Sequence, residues 1–457
     1  MSYEKWSLGY WTLKKYIQFA DWLIYNKVIV NGLEKIPKNK PIIFSPNHQN
    51  ALSDPMAILL NTKFQPVWLA RADIFKNKTA AAILKFLKIM PVYRMRDGKE
   101  NLSKNDVTFT DSVKVLENNF ALGLFPEAAH SGKRQMLVHK KAVPRIVFMA
   151  EEKSNQKLDI QIIPTGIYYS HYWKFNRDLI VNFGNPIPGN EYTEAFKQNE
   201  SAAILLLRQR ILDEMQALVL EIKSQKYYSD FETIREIYGK HYLKRQNLKY
   251  STLNHFKSDQ KLVKKLDELE ENNQDETAKL VRQLNEYVSK IKKLKIRNWL
   301  VEKPHQNLAK IAFNKLILIL GLPLFLFGFI FNAIPFFTID TITRKKIKDK
   351  GFWSTFFLAL GIILFPIFYL IEFFAVSWLI PGIWLKLAFL VAMPLTGKVA
   401  FLWYILFRKT LGRVRFLLLQ LFSKKEYHQL IKEKDLLYKK LDELLPIIPE
   451  QVHKSHF

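Results

Sequence analysis

The sequence predicts an α/β domain followed by a helical insert and a C-terminal all-α membrane region, and three observations carry that prediction. Short apolar runs alternate with helical stretches from residue 28 to 225, the pattern of an α/β domain. Lysine- and glutamate-rich sequence with apolar residues at helical spacing fills 226–305. Long apolar runs nearly free of charge are concentrated beyond residue 306. At 457 residues the chain has room for two or three domains.

At the N-terminus, residues 1–27 read as an amphipathic membrane-interface helix. Trp6, Leu13, Ile17, Ala20 and Ile24 recur at roughly helical intervals within a helical pattern over residues 6–30, with lysines between them. Indole and phenol rings favour the lipid interface and lysines attract anionic headgroups, although packing on the domain core is the other use of such a face. No short apolar core with a small-residue cleavage site follows, so no removable signal peptide is expected.

The α/β domain, 28–225, is built from runs of strand character at 42–45, 67–70, 121–125, 160–165 and 179–183. Helical patterns fall between them at 79–87, 107–119, 143–151 and 201–222. The charged segment 226–305 predicts a helical hairpin, with EENNQDE at 270–276 turning one helix back on the other.

In the membrane region, 306–423, residues 316–337 are long enough to cross ~30 Å of hydrocarbon and carry only Asn332 as a strongly polar residue. Residues 352–407 predict two helices joined by a turn at Pro381-Gly382. Lysines and arginines flank every apolar run, so 316–337 is read as re-entrant or interfacial and the catalytic domain is placed on the cytoplasmic face. An amphipathic helix and tail, 424–457, closes the chain.

The formal charge of +27 fits a nucleic acid, an anionic membrane or an anionic substrate. No nucleic-acid-binding module accompanies it, and the apolar runs favour lipid. The absence of cysteine excludes disulfides, thiolate metal sites and a thiol nucleophile. The histidines lack the spacing of a helical metal motif, so no metal is expected.

The chemistry lies in three stretches that follow apolar runs. PNHQNALSD at 46–54 offers His48 and Asp54: a histidine takes a proton near neutral pH, and a carboxylate on its other nitrogen fixes the tautomer. Six residues along a helix advance ~600°, so only a turn within 49–53 brings the two together. Alone, the pair also fits a loop histidine beside a capping Asp. MPVYRMRDG at 90–98 supplies Arg94 and Arg96, and ALGLFPEAAHSGKR at 121–134 supplies Glu127, Lys133 and Arg134. A carboxylate suits a polyol hydroxyl and a basic cluster suits a phosphate.

Together these stretches resemble the glycerophospholipid acyltransferase family, which includes 1-acylglycerol-3-phosphate and glycerol-3-phosphate acyltransferases. Asn47-His48 with Asp54 is similar to that family's Asn-His and Asp motif, PVYR to its second motif, FPEAAHS to Phe-Pro-Glu-Gly-Thr-Arg-Ser, and Pro164 in IIPTG to its fourth. Two departures stand out. Five residues rather than four separate His48 from Asp54, and Ala128, Ala129 and His130 replace Gly-Thr-Arg.

The resemblance implies an α/β acyltransferase domain in which His48 deprotonates an acceptor hydroxyl while Asp54 orients the ring. The hydroxyl attacks an acyl thioester of coenzyme A or acyl carrier protein, with no bound cofactor and no acyl-enzyme. Arg94 would hold the acceptor's phosphate with Arg96, Lys133, Arg134 or Lys141, and Arg71 is a further candidate. Glu127 would position the glycerol backbone. The expected partners are therefore membrane lipids, the thioester donor, a phosphorylated glycerol and, where it carries the acyl group, acyl carrier protein. A noncatalytic lipid-binding scaffold with an acyltransferase-like domain is the competing reading.

Overall fold

The computed structural model describes residues 3, 5–93, 103–155 and 157–447. By their contacts these fall into two units, one of residues 1–220 with Ile339–Ile363 and one of Glu221–Thr338 with Leu364 onward.

Helix α1 (Leu8–Ile24) opens the first unit, and the Ser7 side chain caps it by accepting the Tyr10 N–H. One face is anchored by buried Tyr10, Lys14 and Asp21; the Lys14 ammonium donates to the carbonyls of Thr62 and Phe64 at 2.9 and 3.1 Å. The other face exposes Trp11, Phe19 and Trp22, and Trp6 is exposed just before the cap. The helix is shorter than its periodicity predicts, because Tyr25–Asn31 forms a strand, β1, paired in parallel with a later one. Its Val28-Ile29-Val30 run is β-branched and suits a pleated edge better than a helix.

The sheet continues with β2 (Ile42–Pro46), β3 (Val67–Arg71), β4 (Ile89–Val92), β5 (Leu122–Gly123), β6 (Gln161–Tyr169), β7 (Arg177–Phe183) and β8 (Ile187–Pro188). The order is β1-β7-β6-β2-β5-β3-β4, with β8 beside β6. Strands β2 to β6 run parallel, whereas β6 meets β7 and β8 antiparallel. Connecting helices are α2 (Ser53–Asn61), α3 (Lys78–Phe86), α4 (Lys104–Glu117), α5 (Ala142–Lys153), α6 (Thr193–Gln198) and α7 (Glu200–Gln216).

Alternation along the strands divides the core between the two faces of the sheet. Ile43 and Ile162 join Val113 and Leu116 of α4, Ile146 and Val147 of α5, and Ile204 and Leu207 of α7. Ile42, Phe44, Ile163 and Ile167 join Ala57 and Ile58 of α2, together with Trp68 and Phe183. With both faces covered, the parallel strands read as continuous apolar runs.

The second unit holds α8 (Tyr228–Arg245), α9 (Thr252–Asn272), α10 (Gln274–Lys293), α11 (Asn298–Val301) and α12 (Leu308–Leu320). The charged segment forms three long helices, and Asn273 breaks α9 from α10 while capping the Glu276 N–H. Leu262, Leu266, Leu280 and Leu284 are buried, as are Leu430, Leu437 and Leu441 of α16 (Lys424–Leu444). The apolar face of α16 is thus used in helix packing.

Helices α13 (Leu322–Lys346), α14 (Trp353–Val376) and α15 (Ile383–Phe422) follow α12. Three segments, Leu322–Lys346, Lys350–Leu379 and Ile383–Phe422, are long and apolar enough to cross a membrane. Gly321 separates α12 from α13, and Gly382, with φ of 70°, makes the turn into α15. Asn332 is satisfied within the unit: its amide donates to the Met393 carbonyl at 3.0 Å and accepts the Tyr369 hydroxyl at 2.6 Å.

Candidate active site

The candidate site lies beyond the C-terminal ends of neighbouring parallel strands, where such sheets leave backbone groups open. Phe44 of β2 pairs with Gly123 of β5, and four residues beyond that pair stand His48 and Glu127. Parallel register alone therefore delivers both side chains to one place.

His48 Nδ1 lies 2.9 Å from Asp54 Oδ2. The same oxygen accepts the backbone N–H groups of Gln49 and Asn50 at 2.8 and 2.7 Å. Asp54 is wholly buried in the first turn of α2. The loop closes because Ala51 takes a left-handed conformation, φ of 42°, allowing Ser53 and Asp54 to donate back to the carbonyls of Asn50 and Ala51. This turn absorbs the additional residue between His48 and Asp54. A carboxylate on Nδ1 keeps the proton there and leaves Nε2 as the basic nitrogen.

The imidazole is also fixed from its face. Phe125 stacks on it with ring centroids 3.9 Å apart, and Trp68 stacks behind Phe125 at 5.4 Å. A Cβ at position 123 would approach the Trp68 ring to 2.5 Å, so glycine is required there. The Gly within ALGLF carried that signal in the sequence, since an isolated strand glycine marks a close approach.

Both backbone polar groups of His48 are held by the FPEAAHS loop. Its N–H donates to Glu127 Oε1 at 2.9 Å, and its carbonyl accepts the Ser131 N–H at 3.0 Å. Glu127 Oε2 accepts the Leu137 N–H at 2.9 Å, and the side chain is buried. The carboxylate expected to position glycerol is thus engaged in clamping two loops. Asn47 is a further residue of this framework: buried, it exchanges hydrogen bonds with the backbone of Ile167, accepting at 2.7 Å and donating at 3.2 Å.

Arg134 is 2% exposed and does not stand in an open anion site. Its guanidinium donates to the Tyr169 carbonyl at 2.8 Å and lies over the rings of Tyr168 and Tyr172. Arg71, at the end of β3, is half-buried and paired with Asp73. Lys133 is exposed just after the FPEAAHS loop, and exposed Lys141 immediately precedes α5 without a side-chain capping bond. Arg94 and Arg96 lie outside the described residues.

His130, in the position of the family's arginine, has its ring 5.7 Å from that of His48, near Asp349 and Phe352. Burial, and secondarily the His48 ring, holds its pKa below the usual imidazole value. Behind the pair, the Tyr169 phenol is pushed well above its ordinary value by burial, with the nearby Asp54 carboxylate adding to the rise.

A half-buried histidine held by a buried aspartate thus stands beyond the ends of parallel strands. Residues 27–168 match the family described as Acyltransferase, so the chain carries an acyltransferase-family domain there. Among curated proteins it is similar to the 1-acyl-sn-glycerol-3-phosphate acyltransferase of Borreliella burgdorferi, 23% identical over 39% of this chain and 65% of that protein. It is also similar to glycerol-3-phosphate O-acyltransferase 2 of Saccharomyces cerevisiae, 25% identical over 24% of this chain and 15% of that protein. The chain thus spans less than two thirds of either relative. Among solved structures, the 1-acyl-sn-glycerophosphate (LPA) acyltransferase of Thermotoga maritima matches at 19% identity with a TM-score of 0.32, over 46% of this chain and 80% of that one.

Proposed function

We propose that this protein is a membrane-bound acyltransferase that moves a fatty acyl group from a thioester to the hydroxyl of a phosphorylated glycerol, lysophosphatidic acid or glycerol 3-phosphate. The observation that carries the proposal is the 2.9 Å contact of His48 Nδ1 with a buried Asp54 carboxylate. His48 Nε2 takes the hydroxyl proton as the oxygen attacks the thioester carbonyl. The C–S bond breaks as the intermediate collapses, and the imidazolium returns its proton to the departing thiolate. Coenzyme A or acyl carrier protein is the leaving group. Arg94 and Arg96 are the proposed phosphate ligands, with exposed Lys133 and Lys141 adding positive charge.

The acyltransferase domain is proposed to face the cytoplasm, on the same side as the basic loop at 344–350. Support comes from the first unit itself, in which the Leu52 N–H donates to Thr355 Oγ1 at 3.0 Å, just beyond that loop. Helix α12, at 13 residues, extends about 20 Å, too short to cross ~30 Å of hydrocarbon alone. It runs on into α13 along α15, where the Trp403 indole N–H donates to the Leu318 carbonyl at 3.0 Å and Gly328 packs against Thr396. Single cysteines placed in 344–350 should be labelled only from the cytoplasmic side; external labelling overturns the topology.

The activity is tested by offering glycerol 3-phosphate, dihydroxyacetone phosphate and lysophosphatidic acid separately with acyl-CoA or acyl carrier protein, and identifying products by mass spectrometry. His48→Ala and Asp54→Ala should each lower transfer by about 10²–10⁴ while the protein still inserts. Turnover unchanged in His48→Ala would sink the mechanism, and absence of transfer by the wild type would favour the scaffold reading.

A further inference from the structure

The structure assigns residues 349–355, the end of the link after α13 together with the first residues of α14, to the candidate site as the element that holds the His48–Asp54 loop in register. This rests on the acyltransferase reading above. The link belongs to the first unit although some 300 residues of sequence separate it from His48.

Residues 49–53 carry the additional residue and the left-handed Ala51, so the backbone there is under strain that local sequence does not relieve. On the inner side, Asp54 accepts from Gln49 and Asn50, and Tyr172 accepts the Asn50 side-chain amide at 3.1 Å while donating its hydroxyl to Gln49 Oε1 at 2.8 Å. On the outer side, the partners come from α14. Ser354 Oγ donates to Asn50 Oδ1, and Thr355 Oγ1 accepts the Leu52 N–H at 3.0 Å. Asn50 and Ser354 are both buried, at 2% and 5% exposure. Without these two hydroxyls, a buried amide oxygen and a backbone N–H would lose their partners beside the turn that sets the His–Asp distance.

The link is fastened on either side of those hydroxyls. Trp353 packs edge-on against Trp173 with centroids 6.1 Å apart, and its indole N–H donates to the Ile347 carbonyl at 3.0 Å. Phe352 meets His130 edge-on at 4.4 Å. A segment that only joined two helices would need none of these contacts. Ser354 and Thr355 are therefore positioning residues: they act on the reaction through Asn50 and Leu52, and through them on Asp54 and His48.

The full-length protein in detergent or vesicles tests this with Ser354→Ala, Thr355→Val and Thr355→Ser, beside wild type and His48→Ala. The expected result is a fall in kcat of about 10- to 100-fold in Ser354→Ala/Thr355→Val, with the acceptor KM within about twofold of wild type. The acidic limb of the pH–rate profile, where the base becomes protonated, should shift as the imidazole loses its orientation, and Thr355→Ser alone should keep near wild-type turnover. Thermal melting of each variant separates this from loss of folding. A folded double variant with unchanged kcat and pH profile overturns the role, as does one in which only KM rises. If wild type and His48→Ala are equally inactive, the acyltransferase reading itself fails and the positioning role fails with it.

Discussion

The Glu127 carboxylate accepts the backbone N–H of His48 at 2.9 Å through one oxygen and that of Leu137 at 2.9 Å through the other. It couples the end of β2 to the loop after β5, and each bond joins a charged acceptor to a neutral donor in a buried place.

Glu127→Gln should therefore act on the framework of the site. The amide presents an N–H to a backbone N–H at one end of the bridge, leaving a buried donor unsatisfied at a cost of about 1–3 kcal/mol. Unfolding free energies from denaturant titration should fall by that amount. Acyl transfer should lose kcat with little change in acceptor KM. A rise in acceptor KM alone, with stability intact, would instead give Glu127 the glycerol-positioning role.

Arg134→Lys tests a cation that the sequence offers as a phosphate ligand but the structure buries. The guanidinium lies over Tyr168 at 4.7 Å and Tyr172 at 5.3 Å while bonding the Tyr169 carbonyl. An ammonium cannot stack and bond in the same plane. We expect a loss of about 1–3 kcal/mol of stability and an acceptor KM close to wild type. Wild-type stability with a much raised acceptor KM would return Arg134 to the anion site.

Ala128→Gly probes the departure from Phe-Pro-Glu-Gly. Ala128 is exposed and has φ of 57°, a left-handed conformation that costs an L-residue about 1–2 kcal/mol. Glycine removes that cost and adds about 0.5–1 kcal/mol of chain entropy. The substitution should be neutral to stabilising by ~1 kcal/mol, and Ala128→Val should destabilise. Thermal melting decides; a destabilised Ala128→Gly would contradict the conformational account.

The parts legible in the sequence are those governed by local pattern. The runs at 42–45, 67–70 and 179–183 become β2, β3 and β7, because buried parallel strands are apolar on both faces. Val28–Val30 was masked by the helical spacing before it, and its partner β7 lies some 150 residues away. His48 and Asp54 were visible as residue types, but their meeting depends on the left-handed Ala51, which no spacing rule supplies. Glu127, Arg134 and the 349–355 link show the same limit. A charge is plain in sequence, yet whether it faces substrate or backbone depends on strands and helices that arrive from elsewhere in the chain.

His139 gives the fold a pH dependence separate from catalysis. It is 3% exposed, and neither ring nitrogen has a hydrogen-bond partner among the described residues. Burial, with the nearby Arg208 charge adding to it, lowers its pKa from 6.5 to about 4. The folded protein thus binds fewer protons at this residue than the unfolded chain between those two values, so stability must rise with pH there. The contribution is complete above the unfolded value and is lost as pH falls through 6.5 toward about 4. Integrated between pH 7 and pH 5, the loss is about 2 kcal/mol. Denaturant titrations of the purified protein should show that decline, and His139→Leu should flatten it by a similar amount. An identical pH dependence in the two proteins would show that His139 is not the group responsible.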